Sequence, residues 1–213
     1  MTPRVTVLLV DDHPIVREGY RRLLEDSGRV HVTGEGSNAA EAYRQFCVLD
    51  PNVVIMDIAL PGVSGIEGIR RILARRANAR VLVFSMYEDT IFVRRALAAG
   101  AAGYITKACA PRVLVDAVEA VASGRRYVSH DVAQTLALAP RWSEAPVHEK
   151  LSAREFEVLE LLVQGRTLED IARQLALNPK TVANHQSSIK HKLGVDSAAQ
   201  LFRAAMRLGL VPS

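Results

Sequence analysis

Two observations predict a doubly wound α/β domain followed by an all-α one. Five short, β-branched-rich segments alternate with amphipathic stretches of 10–15 residues over the first 124 positions, and from Leu151 onward the pattern is purely helical. The 213 residues are enough for two small domains, and 49% apolar content is enough to give each a core.

The strand candidates are, in order, "VTVLLV", "VHVTGEG", "NVVIMD", "RVLVFS" and "GYIT". The first is apolar on both faces, as a buried parallel strand requires. Helices are predicted over "PIVREGYRRLLEDSG", "NAAEAYRQFCVLD", "GIEGIRRILARRA", "EDTIFVRRALAAG" and "APRVLVDAVEAVASG". Pro14 starts the first and Gly28 stops it; Gly100 and Gly124 stop the fourth and fifth. Strand and helix in strict alternation give right-handed βαβ units, hence a five-stranded parallel sheet with helices on both faces.

The boundaries expected are an α/β domain over residues 1–124, a linker over 125–149 and a helical domain over 150–213. In the linker, "RRYVSHDVAQTLALAP" has the pattern of a short helix, and "RWSEAPVHEK" mixes Pro, Ser and scattered charge. Beyond it, "SARE" (Ser152, Glu155) is a capping box that opens a helix closing at Gly165. Thr167 with Asp170, Asn178 with Pro179, and Asp196–Ser197 open three more.

The net charge of +4 is unevenly spread. Residues 178–194 hold Lys180, Lys190, Lys192 and two histidines and no acid, a basic stripe suited to a polyanion. No apolar run approaches the ~20 residues of a membrane span, and "MTPRVTVLLV" lacks the parts of a signal peptide. Cys47 and Cys109 have no metal-type spacing and are expected to be buried thiols in a reducing, cytoplasmic compartment.

In an open α/β sheet the ligand crevice lies at the carboxyl ends of the strands. Asp11 and Asp12 end the first strand, Asp57 the third and Ser85 the fourth, and Lys107 sits just past the fifth. Three converging carboxylates need a cation, and an all-oxygen set suits Mg2+. With a hydroxyl and an ammonium opposite, the set meets the demands of phosphoryl transfer to a carboxylate. Pro61, Gly62 and Gly65, in "IALPGVSG", allow close backbone approach beside Asp57. One of Asp11 and Asp12 is also a natural N-cap for the helix begun by Pro14. His13 is read as a local hydrogen-bonder rather than a transition-metal ligand.

"VDDHPIVREG", "MDIALPGVSG", "FSMYED" and "GYITK" resemble the receiver domain of bacterial two-component response regulators. The resemblance covers residues 4–124 and implies a flavodoxin-like strand order, 2-1-3-4-5. It implies that Asp57 is the phosphoacceptor, served by a sensor histidine kinase. Mg2+ would be held by Asp12 and Asp57 directly, by Asp11 through water and by the Ala59 carbonyl. Lys107 would pair with the phosphoryl group and Ser85 would hydrogen-bond to it, with Tyr104 as an aromatic switch that swings inward when Ser85 moves. Ala59 and Tyr87 stand at positions that tune dephosphorylation in that family. An aspartyl-phosphate phosphohydrolase is the enzyme alternative, but such enzymes carry a second Asp two residues after the nucleophile, where Ala59 stands. A ligand-sensing quorum regulator would share the helical domain but not the acidic set.

"TLEDIARQLALNPKTVANHQSSIKHKLG" has a helix-turn-helix layout. Ile171, Ala172 and Leu175 face inward on its first helix, and Val182, Ile189 and Leu193 on its second. Lys180, Thr181, Ala183, Asn184, Ser187, Ser188, Lys190 and His191 are left outward, a face able to enter a major groove. Asn184 suits a bidentate contact with adenine, and Lys180 and Lys190 suit phosphates. From Leu151 to about Leu210 the sequence resembles the four-helix DNA-binding domain of LuxR and NarL/FixJ regulators, with Asn178 where that family more often has Ser. The resemblance implies that Ala183, Asn184 and Ser187 face the bases. It also implies promoter DNA and RNA polymerase as partners, and a homodimer when phosphorylated or on DNA. The apolar residues of "LFRAAMRLGL", 201–210, suit either a dimer contact on DNA or packing within their own domain.

Overall fold

A computed structural model describes residues 4–138, apart from 62 and 89, and residues 151–207, apart from 176. Gly62, positions 139–149 of the expected linker and positions 208–210 of the last helical pattern lie outside the described residues. The chain divides into two compact units, Met1–Arg141 and Trp142–Ser213.

In the first unit the elements run β1 (Val5–Val10), α1 (Pro14–Asp26), β2 (Val30–Gly36), α2 (Ala39–Leu49), β3 (Val53–Met56), α3 (Gly65–Arg75), β4 (Val81–Ser85), α4 (Thr90–Ala98), β5 (Gly103–Thr106), α5 (Pro111–Ala122), β6 (Tyr127–Val128) and α6 (His130–Leu138). The sheet is parallel throughout, in the order β2-β1-β3-β4-β5-β6. The strand order expected from the sequence is present, with a sixth strand added at the β5 edge.

Alternation along each strand splits the core into two layers. On one face Val7, Leu9, Val53, Ile55, Leu82, Phe84 and Ile105 pack with Leu24 of α1 and Leu114, Val115, Val118 and Val121 of α5. Leu8, Val10, Val54, Met56 and Val83 are the alternate positions, and the buried Phe46, Ile69, Ile72 and Phe92 come from α2, α3 and α4. Chain order reverses between β1 and β3, so the crevice at their carboxyl ends is the switch point of the sheet.

Within the expected linker, β6 adds a strand to the sheet and α6 supplies the short helix that "RRYVSHDVAQTLALAP" suggested. Gly103 and Tyr104 pair with Tyr127 and Val128, and the Ser129 N–H donates to the Tyr104 carbonyl at 3.1 Å. Val132 of α6 is buried and Thr106 Oγ1 donates to Asp131 at 3.1 Å. A two-residue strand is too short to show a period-two pattern, so composition favoured a linker there. The cysteines also depart from expectation: Cys47 is exposed on α2 and Cys109 half-buried, both as free thiols.

The second unit holds α7 (Ala153–Val163), α8 (Leu168–Gln174), α9 (Pro179–Leu193) and α10 (Ala198–Arg207). Three of their starts are as the sequence predicts. Ser152 and Glu155 form a reciprocal capping box, Thr167 accepts from the Asp170 N–H, and Asn178 accepts from the Lys180 N–H. The fourth differs slightly, with Ser197 Oγ accepting from the Gln200 N–H. Leu151, Phe156, Val158, Leu159, Ile171, Val182, Ile189, Leu201 and Ala205 are among its most deeply buried residues. Among the described residues no helix is long and apolar enough to cross a membrane.

Candidate functional sites: an acidic crevice and a helix-turn-helix

The apolar strands carry polar side chains to the crevice at their carboxyl ends, and burial there is deep. Asp11 is 2% exposed, Asp57 3% and Ser85 0%. Lys107 Nζ, itself buried, donates to Asp11 Oδ2 at 2.6 Å and to Asp57 Oδ2. Burial pushes the Lys107 ammonium toward neutrality, but the Asp57 and Asp11 carboxylates outweigh it and hold its pKa above the ordinary lysine value. Asp57 Oδ1 accepts from Ser85 Oγ at 2.9 Å and from the Ala59 N–H at 3.1 Å. Asp57 is thus gripped by three donors from the ends of β4 and β5 and from its own loop.

Gly65 closes that loop against Asp57. Its N–H donates to the Ile58 carbonyl at 3.1 Å, and a Cβ there would lie 1.9 Å from the Asp57 carbonyl oxygen. The close approach expected of "IALPGVSG" is therefore between the loop and the phosphoacceptor candidate's own backbone.

Asp12 sits differently. It is partly exposed, and its Oδ1 is buried with no donor aligned on it, although His13 Nδ1 lies 2.8 Å away. Ligand atoms of Asp11, Asp12 and His13 come within 4.8 Å of one another, and Asp57 is not part of that group. Neither aspartate caps α1: the N-cap position is His13, without a side-chain cap, and Asp11 Oδ1 instead accepts from the His13 N–H at 2.8 Å. Tyr104 is wholly buried, and its hydroxyl donates to the Tyr87 carbonyl at 2.7 Å. The Tyr87 ring in turn packs on Phe92, centroids 4.6 Å apart.

In the helical unit, Ile171, Ala172, Leu175, Val182 and Ile189 are buried as expected, and Leu193 is half-buried. Lys180, Asn184, Ser187 and His191 of α9 are exposed, while Thr181, Ala183 and Lys190 are half-exposed. Ser188 departs from the outward set, because its hydroxyl donates to Glu155 Oε1 at 2.6 Å. Lys192 is also committed inward, with Nζ 2.7 and 2.6 Å from the two Glu155 oxygens.

Glu155 is the residue whose role the sequence concealed. It is 4% exposed and also accepts from the Ser152 N–H at 2.6 Å, so one carboxylate caps α7 and anchors α9. Burial alone would raise its pKa, yet Lys192, Ser188 and the Ser152 N–H together hold it below the usual carboxylate range. Sequence reasoning found the cap; the i, i+4 pair Ser188 and Lys192 on a helix 33 residues away was the signal left unread.

A doubly wound sheet with this crevice, carried in one chain with a helix-turn-helix, defines a transcription regulator governed by phosphorylation, the two-component response regulator. The chain belongs to that family: "Response regulator receiver domain" matches residues 7–119 and "Bacterial regulatory proteins, luxR family" matches 149–205. It is 36% identical to the response regulator UvrY of Escherichia coli K12 over 97% of this chain and 95% of that one. It is 38% identical to the transcriptional activator protein ExaE of Pseudomonas putida over 96% and 97% of the two chains. A structure of two RcsB dimers bound to two parallel DNAs matches at 29% identity, covering 99% of this chain and all of that one, with a TM-score of 0.61.

Proposed function

We propose that Asp57 accepts a phosphoryl group from a phosphohistidine of a partner sensor kinase. The new bond runs from an Asp57 carboxylate oxygen to phosphorus as the P–N bond to imidazole breaks. The observation that carries this reading is the buried Asp57 carboxylate held by Lys107, Ser85 and the Ala59 N–H. Those three donors are already gathered on the Asp57 carboxylate, ready to be handed to phosphoryl oxygens. Lys107 would exchange its carboxylate partner for a phosphoryl oxygen, and Ser85 would follow. Tyr104, on β5 opposite Val83 and already buried with its hydroxyl on the Tyr87 carbonyl, would be the aromatic side chain that senses that movement.

The donor set fits Mg2+. Its oxygens are hard, and the buried Asp12 Oδ1 has no aligned donor of its own. Asp12, Asp57 and the Ala59 carbonyl would hold the ion directly and Asp11 through a water. When bound, the ion neutralises charge on the transferring group.

On this reading the receiver runs through α6, and 139–149 connects it to the output domain. That domain would set α9 in the major groove of promoter DNA, with Ala183, Asn184 and Ser187 toward the bases and Lys180, Thr181 and Lys190 toward phosphates. Two of the three base-facing side chains are small, so DNA shape would carry much of the specificity. The RcsB relative bound to DNA as dimers supports a homodimer on DNA. RNA polymerase would be the downstream partner, in the cytoplasm. Labelling by acetyl phosphate in Mg2+ tests the acceptor: wild type should incorporate phosphoryl groups and Asp57→Ala should not. Equal incorporation in the two would refute the assignment.

A further inference from the structure

Arg17 stands in the first turns of α1, close to the acidic crevice but outside the set of residues given a role above. Its Nη1 donates to the Asp11 main-chain carbonyl at 2.6 Å, and its Nε donates to Glu35 of β2 at 2.7 Å. The side chain is only 17% exposed, so these contacts are sheltered from water. From the opposite side, the Asp11 N–H donates to the Gly36 carbonyl at 3.0 Å. The main chain of Asp11 is therefore fixed at both ends, by β2 and by α1.

The Asp11 carbonyl belongs to the peptide that leads into Asp12. Because that peptide is planar, fixing its oxygen sets the direction in which Asp12 leaves the strand. Asp12 Oδ1 is buried with no donor aligned on it, its nearest cationic neighbour being His13 Nδ1 at 2.8 Å. Glu35 acts in turn on Arg17. An unpaired guanidinium beside several carboxylates would be drawn onto them by Coulomb attraction and would compete with a cation. Glu35 takes Nε and keeps the fork pointed at the peptide oxygen. A lysine ammonium lacks the rigid planar fork that holds these two acceptors in fixed directions.

We infer that Arg17, held by Glu35, is a positioning residue for the cation site: it fixes the Asp11–Asp12 peptide and so aims Asp12 at a divalent ion. The identity of that ion as Mg2+ rests on the phosphoacceptor reading above. The inference concerns residues that touch neither the ion nor the phosphoryl group.

Calorimetric titration of the full chain with Mg2+ tests it, beside the Mg2+ dependence of acetyl phosphate labelling and thermal unfolding of each variant. Arg17→Ala should raise the Mg2+ dissociation constant about tenfold, as loss of an outer-shell partner does, and saturating Mg2+ should restore labelling. Arg17→Lys should fall between wild type and Arg17→Ala. Glu35→Ala should also weaken Mg2+ binding, and the double variant should be no weaker than Arg17→Ala alone, since Glu35 acts on the site through Arg17 while its other ion pair, with Arg21 at 3.6 Å, does not reach Asp11. A folded Arg17→Ala that binds Mg2+ within twofold of wild type would overturn the inference; so would labelling that stays low at saturating Mg2+. Should Arg17→Ala fail to fold, wild-type affinity in Arg17→Lys overturns it instead. Absence of Mg2+ binding or Asp57 labelling in wild type would overturn the function reading, and this inference with it.

Discussion

At Gly65 one added carbon would sit 1.9 Å from the Asp57 carbonyl oxygen and 2.8 Å from its carbonyl carbon. Both neighbours are backbone, so nothing flexible can yield, and Gly65→Ala must displace the strand end that carries Asp57. The expected cost is about 1–3 kcal/mol of receiver stability, with slower acetyl phosphate labelling at equal Mg2+. Urea unfolding and initial labelling rates check the two effects. The meeting of Asp11, Asp57, Ser85 and Lys107 was legible in the sequence, because a strand end in an alternating α/β pattern has one place to go. Arg17 and Glu35 were not, since their bond joins a helix and an edge strand 18 residues apart and neither side chain is unusual alone.

Helix α9 shows what spacing along an element leaves undetermined. Its inward positions followed from the helical period, but Ser188 lies on the flank, where the period does not decide between groove and core. Glu155 decided it, with Lys192 one turn further along. The Glu155 pKa is held below its ordinary value in the folded protein, so the stability it contributes is full above the unfolded glutamate value of about 4.3. That contribution is lost as pH falls toward the depressed folded pKa. Glu155→Gln should therefore destabilise the DNA-binding domain by about 2 kcal/mol at pH 7. The gap from wild type should narrow below about pH 4.3, as urea transitions measured across pH would show. On the outer face of the same helix, Asn184→Ala should change operator preference. Lys180→Ala should weaken binding to all sequences and reduce the salt slope by about one. Identical effects of the two on binding would contradict the groove assignment.

For the molecule as a whole, both domains and their order were readable, because each buries a core with its own period: alternating strands and helices first, helices alone afterwards. The sixth strand was not, since β6 is two residues long and its pairing with β5 leaves no periodic trace. A receiver ending at Gly124 would lose that pairing and the buried Val132. It should be about 2 kcal/mol less stable than one ending at Leu138, from the lost apolar burial alone, and thermal unfolding of the two lengths compares them directly.

The sixth strand also bears on how such chains can be recombined. A hybrid regulator joined just after α5 would splice the foreign domain onto a bare sheet edge, inviting strand exchange between neighbouring molecules. Joined after α6, the graft would carry its own selvedge, with β6 and α6 kept on the β5 edge.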